Sequence, residues 1–150
     1  MAVSLKYSFQ TQSSYVLGKP VVIGFTLESD TQTDVWILKW YTPLEGIKGK
    51  ILRVTCDGEE MQYQGIMMKR GNPRREHYVL LHPGESVSAE FDLAENYSLK
   101  KCDECRLDFK GRIHDVIFNQ QQLPPAVNEQ TPVDASGTPA SFRIENDSAK

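Results

Sequence analysis

Long apolar runs are missing from this 150-residue chain. No stretch approaches the ~18 consecutive apolar residues that span a bilayer as a helix, so no membrane span is expected. Excess basic charge is missing too: Lys and Arg number 17 against 20 Asp and Glu, a net charge of -3. Nucleic-acid binding normally leaves a strongly basic footprint, so a nucleic-acid partner is not expected. Histidine is scarce: His77, His82 and His114 are the only three, and none stands four residues from another with a Glu between. The zinc-and-general-base chemistry of a His-Glu-x-x-His helix therefore has no ligands here. The first nine residues alternate in polarity and carry no apolar h-region, so no secretory leader is read and the chain as written reads as cytoplasmic, the compartment otherwise staying open. No amphipathic stretch of three helical turns and no internal repeat is found.

What the chain does hold is one domain's worth of sequence with a real core, 39% hydrophobic and 25% charged. Its pattern is period-two alternation punctuated by Gly, Pro, Asn and Asp. Val21, Ile23, Phe25 and Leu27 share one face of a strand opened by Gly18-Lys19-Pro20. Val35-Trp36-Ile37-Leu38-Lys39-Trp40-Tyr41 is apolar on both faces, as a covered central strand would be, and one of its Trp residues is expected between the sheets. Ile51-Leu52-Arg53-Val54-Thr55-Cys56 leads into Asp57-Gly58, a pair suited to a tight hairpin, with Met61-Gln62-Tyr63-Gln64 as the return strand. Tyr78-Val79-Leu80-Leu81, then Val87, Ala89, Phe91 and Leu93, then Cys105, Leu107 and Phe109 continue the series. The expectation is an all-β, immunoglobulin-like antiparallel β-sandwich of about seven to nine strands. Residues 1–118 form its core, 119–140 a long polar loop, 141–146 a closing strand around Phe142 and Ile144, and 147–150 a polar tail.

One block is more specific than any periodicity: Leu38-Lys39-Trp40-Tyr41-Thr42-Pro43-Leu44-Glu45-Gly46, followed by Val54-Thr55-Cys56-Asp57-Gly58 and, downstream, Met68-Lys69-Arg70-Gly71-Asn72-Pro73 and His82-Pro83-Gly84-Glu85. It resembles the N-terminal, non-catalytic domain of the deuterolysin-type peptidyl-Lys metalloendopeptidases over roughly residues 15–118. The catalytic His-Glu-x-x-His domain of that family has no counterpart here. The resemblance implies an accessory module alone, one that assists folding, inhibits, or docks.

Each chemical candidate has a plainer reading beside it. Cys102-Asp103-Glu104-Cys105 has the C-x-x-C spacing of thiol-redox sites and zinc knuckles, but a zinc site needs two more ligands, with Cys56 and a histidine as the only donors in reach of a convergent fold. The plainer reading is a turn and strand start, with room for a local disulfide. The loop Lys69-Arg70-Gly71-Asn72-Pro73-Arg74-Arg75 puts four basic residues in seven positions, either a solvated loop or a grip on an acidic partner. Thr42, Pro43, Leu44 and Glu45 form either a recognition loop or a strand-ending turn packed by Leu44. Neighbouring His114 and Asp115 would point to opposite faces of a strand, a poor catalytic dyad.

The resulting expectation is a non-enzymatic protein-binding module: an inhibitor, chaperone or docking domain for a metalloprotease, without cofactor. Its contact residues would be Thr42, Pro43, Leu44, Glu45, Lys69, Arg70, Arg74 and Arg75. The alternative is a small thiol-redox or zinc-binding protein centred on Cys102 and Cys105; a subunit of a larger secretion or envelope assembly is a third.

Overall fold

A computed structural model describes residues 4–69, 71–118 and 132–146. Its strands are β1 (Leu5–Gln10), β2 (Ser14–Val16), β3 (Val22–Ser29), β4 (Val35–Leu38), β5 (Leu52–Cys56), β6 (Glu59–Glu60) and β7 (Tyr78–Leu81). There follow β8 (Ser86–Asp92), β9 (Cys102–Phe109), β10 (Arg112–Ile113), β11 (Val116–Ile117), β12 (Val133–Asp134), β13 (Ser136–Gly137) and β14 (Ala140–Glu145). Single 3-10 turns, Arg75–His77 and Leu93–Glu95, are the only helical elements among the described residues. The fold is an all-β, immunoglobulin-like sandwich, and its eight strands of four residues or more, β1, β3, β4, β5, β7, β8, β9 and β14, agree with the alternation in the sequence.

One sheet runs β13-β1-β3-β8; the other layer holds β2-β14-β9-β5-β6 and the three-stranded β11-β4-β7, with a small β10-β12 ribbon at one end. Pairing is antiparallel except that β13 and β2 add in parallel at sheet edges. Val21, Ile23, Phe25 and Leu27 are all buried, as their spacing requires. Phe25 meets Phe109 edge-on at 5.4 Å, Tyr7 does so at 5.3 Å, and the Tyr7 hydroxyl donates to the Phe109 carbonyl. These contacts join β1 and β3 to β9. Each large side chain so buried contributes about 1.5–3 kcal/mol relative to exposure.

Two strand expectations are corrected. The apolar run from Val35 leaves the ladder after Leu38, and Tyr41 takes a left-handed φ of 62° in the following turn. Both of its faces are covered, but the tryptophans lie on the outer one: Val35 and Ile37 enter the main core, while Trp40 is buried with Leu38, Tyr78 and Ile117 in a second cluster flanked by half-buried Trp36. β-branched Val35 and Ile37 thus take the inter-sheet place expected of a Trp. The return strand of the Asp57-Gly58 hairpin is Glu59–Glu60 rather than residues 61–64. Met61 still donates its N–H to the Val54 carbonyl, but Tyr63 bridges to Tyr97, whose ring lies 5.2 Å away, and draws the chain off β5.

Candidate functional site

The three cysteines come together. Phe142 pairs with Cys105 and Ile144 with Cys102, so β9 advances three residues while β14 advances two. That is a β-bulge. Residues three apart on a regular strand face opposite ways; the bulge resets the alternation, so Cys102 and Cys105 both turn inward while Asp103 and Glu104 stay exposed. Cys56 on β5 sits directly opposite Cys105. All three are buried free thiols whose sulfurs lie within 4.8 Å of one another.

The hairpin turn fixes this arrangement. Asp57 and Gly58 both have positive φ, 49° and 87°, as a type I′ turn requires. From there the Asp57 carboxylate accepts the N–H of Glu104 at 2.9 Å and of Asp103 at 3.1 Å, satisfying the two amides that the bulge takes out of the ladder. The Cys56 thiol points to the Lys100 carbonyl. Burial pushes the Cys102 and Cys105 thiols well above the usual thiol range; the Cys56 sulfur adds to the rise at both, and Cys102 adds to it at Cys105. Such thiols are protonated at neutral pH, unlike a thioredoxin nucleophile. No histidine or carboxylate joins the three sulfurs among the described residues, so a four-ligand structural zinc site is incomplete.

The histidines lie apart, each with its own neighbour. His77 packs on Trp40, His82 pairs with Asp34 at 2.8 Å, and His114 packs on Tyr41. Asp115 is buried and accepts a 2.6 Å hydrogen bond from the Tyr78 hydroxyl; it and His114 lie in the link between β10 and β11, not on a strand as the sequence suggests.

The 42–46 segment is a closed turn. Thr42 and Pro43 are buried, Leu44 and Glu45 half-buried. The Thr42 hydroxyl donates to the Lys39 carbonyl and accepts the Leu44 N–H, and the Glu45 carboxylate accepts the Tyr41 N–H. In the 69–75 loop Lys69, Arg74 and Arg75 are exposed and Pro73 is buried; Arg70 lies outside the described residues. The two loops meet the same end of the sandwich, because the turn Arg75–His77 places His77 on Trp40, just ahead of Thr42.

An exposed apolar tip between them is the feature that alternation did not find. Ile66, Met67 and Met68 are 53%, 75% and 44% exposed. Their loop is not slack: Gln64 donates its N–H to the Asn96 carbonyl, Met68 to the Lys48 carbonyl, and the Tyr63 hydroxyl to the Ile66 carbonyl. Gly65 permits the close pass, since a Cβ there would stand 2.6 Å from the Tyr63 hydroxyl and 2.7 Å from the Asn96 side chain. Beside the tip is a cleft of about 680 Å³ between Ile47, Lys48, Glu90 and Glu95. The signal available in the sequence was three consecutive apolar residues between Gly65 and Lys69 with no turn or ladder to bury them.

Comparison with known proteins is consistent with a protease-associated region. A stretch of 79 residues is 28% identical to an extracellular protease of Aeromonas hydrophila, covering 53% of this chain and 22% of that protein. The chain thus spans under a quarter of that relative's length. No protein-family model matches. Among solved structures, the CARDB domain of the PF1109 protein from Pyrococcus furiosus, in complex with di-metal ions, aligns over 97% of this chain and 96% of that one, with a TM-score of 0.41 and 9% identity.

Proposed function

We propose that this chain is a non-enzymatic protein-binding module that docks on a protease, with a deuterolysin-type peptidyl-Lys metalloendopeptidase as the first class to test. The observation that carries the reading is the exposed tip of Ile66, Met67 and Met68, held in place by backbone hydrogen bonds at Gln64 and Met68. Three adjacent apolar side chains in water cost a soluble domain free energy, and methionine suits a surface that adapts to a partner. Exposed Lys69, Arg74 and Arg75 continue the contact on one side and would set orientation and association rate more than affinity. The 42–46 turn serves beneath as the scaffold that carries Ile47 and Lys48 to the same cleft. The partial likeness to an extracellular protease supports the choice of partner.

The test is binding of the purified chain to a recombinant catalytic domain of that class, with peptidase activity followed in parallel. Saturable binding that a triple I66S/M67S/M68S variant loses supports the reading, and the activity trace separates an inhibitor from a docking or folding aid. Absence of binding to any protease of the class contradicts it.

A further inference from the structure

The thiol cluster needs an account of its own, independent of the docking surface. The Asp57 N–H donates to the Glu104 carbonyl at 2.9 Å, one residue beyond the Cys56 and Cys105 pair. In an antiparallel ladder hydrogen-bonded and non-hydrogen-bonded pairs alternate, so Cys56 faces Cys105 at a non-hydrogen-bonded position. Facing Cα atoms there are about 4.5 Å apart and their side chains closest, inside the ~4.4–6.8 Å window for a disulfide. Cys102 and Cys105 are three residues apart along one strand, about 10 Å of extended chain before the bulge contracts it, a poorer start for a local bridge.

We propose that Cys56 and Cys105 form a cross-strand disulfide in an oxidising setting, with Cys102 the free thiol that exchanges with it. A metal fits less well: no fourth donor stands at the cluster among the described residues, and three thiolates would add negative charge in an apolar interior beside Asp57, Asp103 and Glu104. A disulfide is neutral and needs no counter-charge. The oxidant is a low-molecular-weight disulfide, RSSR. One protein thiolate attacks it and releases RS⁻; the second protein thiolate attacks the mixed disulfide, closes the Cys56–Cys105 bond and releases another RS⁻. Two protein thiols thus give up two protons and two electrons, and RSSR becomes two RSH. Cys102 is the most exposed of the three at 4%, against 0% for the others. Its thiolate attacks either sulfur of the bond, forms a new bond to itself and frees the other sulfur, carrying the reducible bond toward the surface.

The chain is refolded in a mixture of oxidised and reduced glutathione, denatured, alkylated and mapped. The expected result is one alkylated thiol, Cys102, of the three in the chain, with a Cys56–Cys105 linked peptide; C56S and C105S lack that linkage. C102S keeps the bond, and its reduction by a dithiol is slower than in the parent, because the internal exchange path through the least buried thiol is lost. Three reactive thiols after oxidative refolding to the native fold overturn the proposal, as does a map dominated by Cys102 in the bond, or stoichiometric metal bound through three sulfurs. A C102S variant reduced as fast as the parent overturns the exchange role.

Discussion

Replacing Asp57 should loosen the end of the hairpin in a graded way that separates backbone strain from hydrogen bonding. Its carboxylate accepts two bulge amides, those of Asp103 and Glu104, and its own φ is 49°. These bonds are exposed, so each is discounted for solvent from the ~1.5–3 kcal/mol of a bond to a charged group to about 1 kcal/mol. A left-handed φ adds about 1 kcal/mol when the residue is Ala, whereas Asp and Asn tolerate it and Gly is indifferent. D57A should therefore cost about 3 kcal/mol and D57G about 2 kcal/mol. D57N, which keeps one acceptor oxygen and the tolerance of positive φ, should cost about 1 kcal/mol or less. At about 2–4 °C per kcal/mol for a chain of this size, Tm falls by about 6–12 °C, 4–8 °C and up to 4 °C in turn. Urea denaturation of the three variants with unchanged m-value gives the measurement. A D57A variant as stable as the parent, or D57G less stable than D57A, would refute the argument that the carboxylate pins the bulge at a strained turn.

Four further outcomes follow from other parts of the sandwich. Y78F removes the 2.6 Å hydrogen bond to buried Asp115 and should cost about 1.5–3 kcal/mol in urea unfolding; a change under about 0.5 kcal/mol would show that the pair is not structural. G65A forces a Cβ against the Tyr63 hydroxyl, so it should disorder residues 63–68, read as faster amide exchange there, with the ladder amides of β3 and β9 unaffected. Burial first, then Arg112, lowers the His114 pKa, so below the ordinary value of about 6.5 the unfolded chain takes a proton that the folded chain refuses. Stability should fall as pH drops from about 6.5 through that lowered value, and H114Q should flatten the decline. His82 has the opposite sign: its hydrogen bond to Asp34 raises its pKa, giving stability present below about 6.5 and lost as pH rises through the raised value, an exposed effect that salt should erase.

The fold was legible where one physical rule acted alone. Alternation placed Ile23, Phe25, Leu107 and Phe109 in the core because a half-buried strand leaves no other choice of face, and Asp57-Gly58 announced its turn by its tolerance of positive φ. Legibility ended where tertiary contacts compete with local pattern. Tyr63 reads as part of a return strand, yet its backbone bridges to Tyr97, 34 residues on. One of Trp36 and Trp40 reads as an inter-sheet residue because tryptophan is large and apolar, yet Val35 and Ile37 take that face. At the thiol cluster, C-x-x-C was visible but its meaning was not: spacing alone would put Cys102 and Cys105 on opposite faces, and only the bulge, pinned from the β5–β6 turn by Asp57, brings them together with Cys56. The apolar tip at residues 66–68 escaped because a sequence rule that looks for buried patterns passes over residues exposed without one.

The docking account is tested most directly by titrating the intact chain into the catalytic domain of a peptidyl-Lys metalloendopeptidase in an isothermal calorimeter, with I66S/M67S/M68S as the control. Saturable 1:1 heat with a negative heat-capacity change, abolished by the triple substitution while the unfolding transition stays in place, is the predicted result. Equal heats for the parent and the triple variant, or none for either across the class, would contradict it.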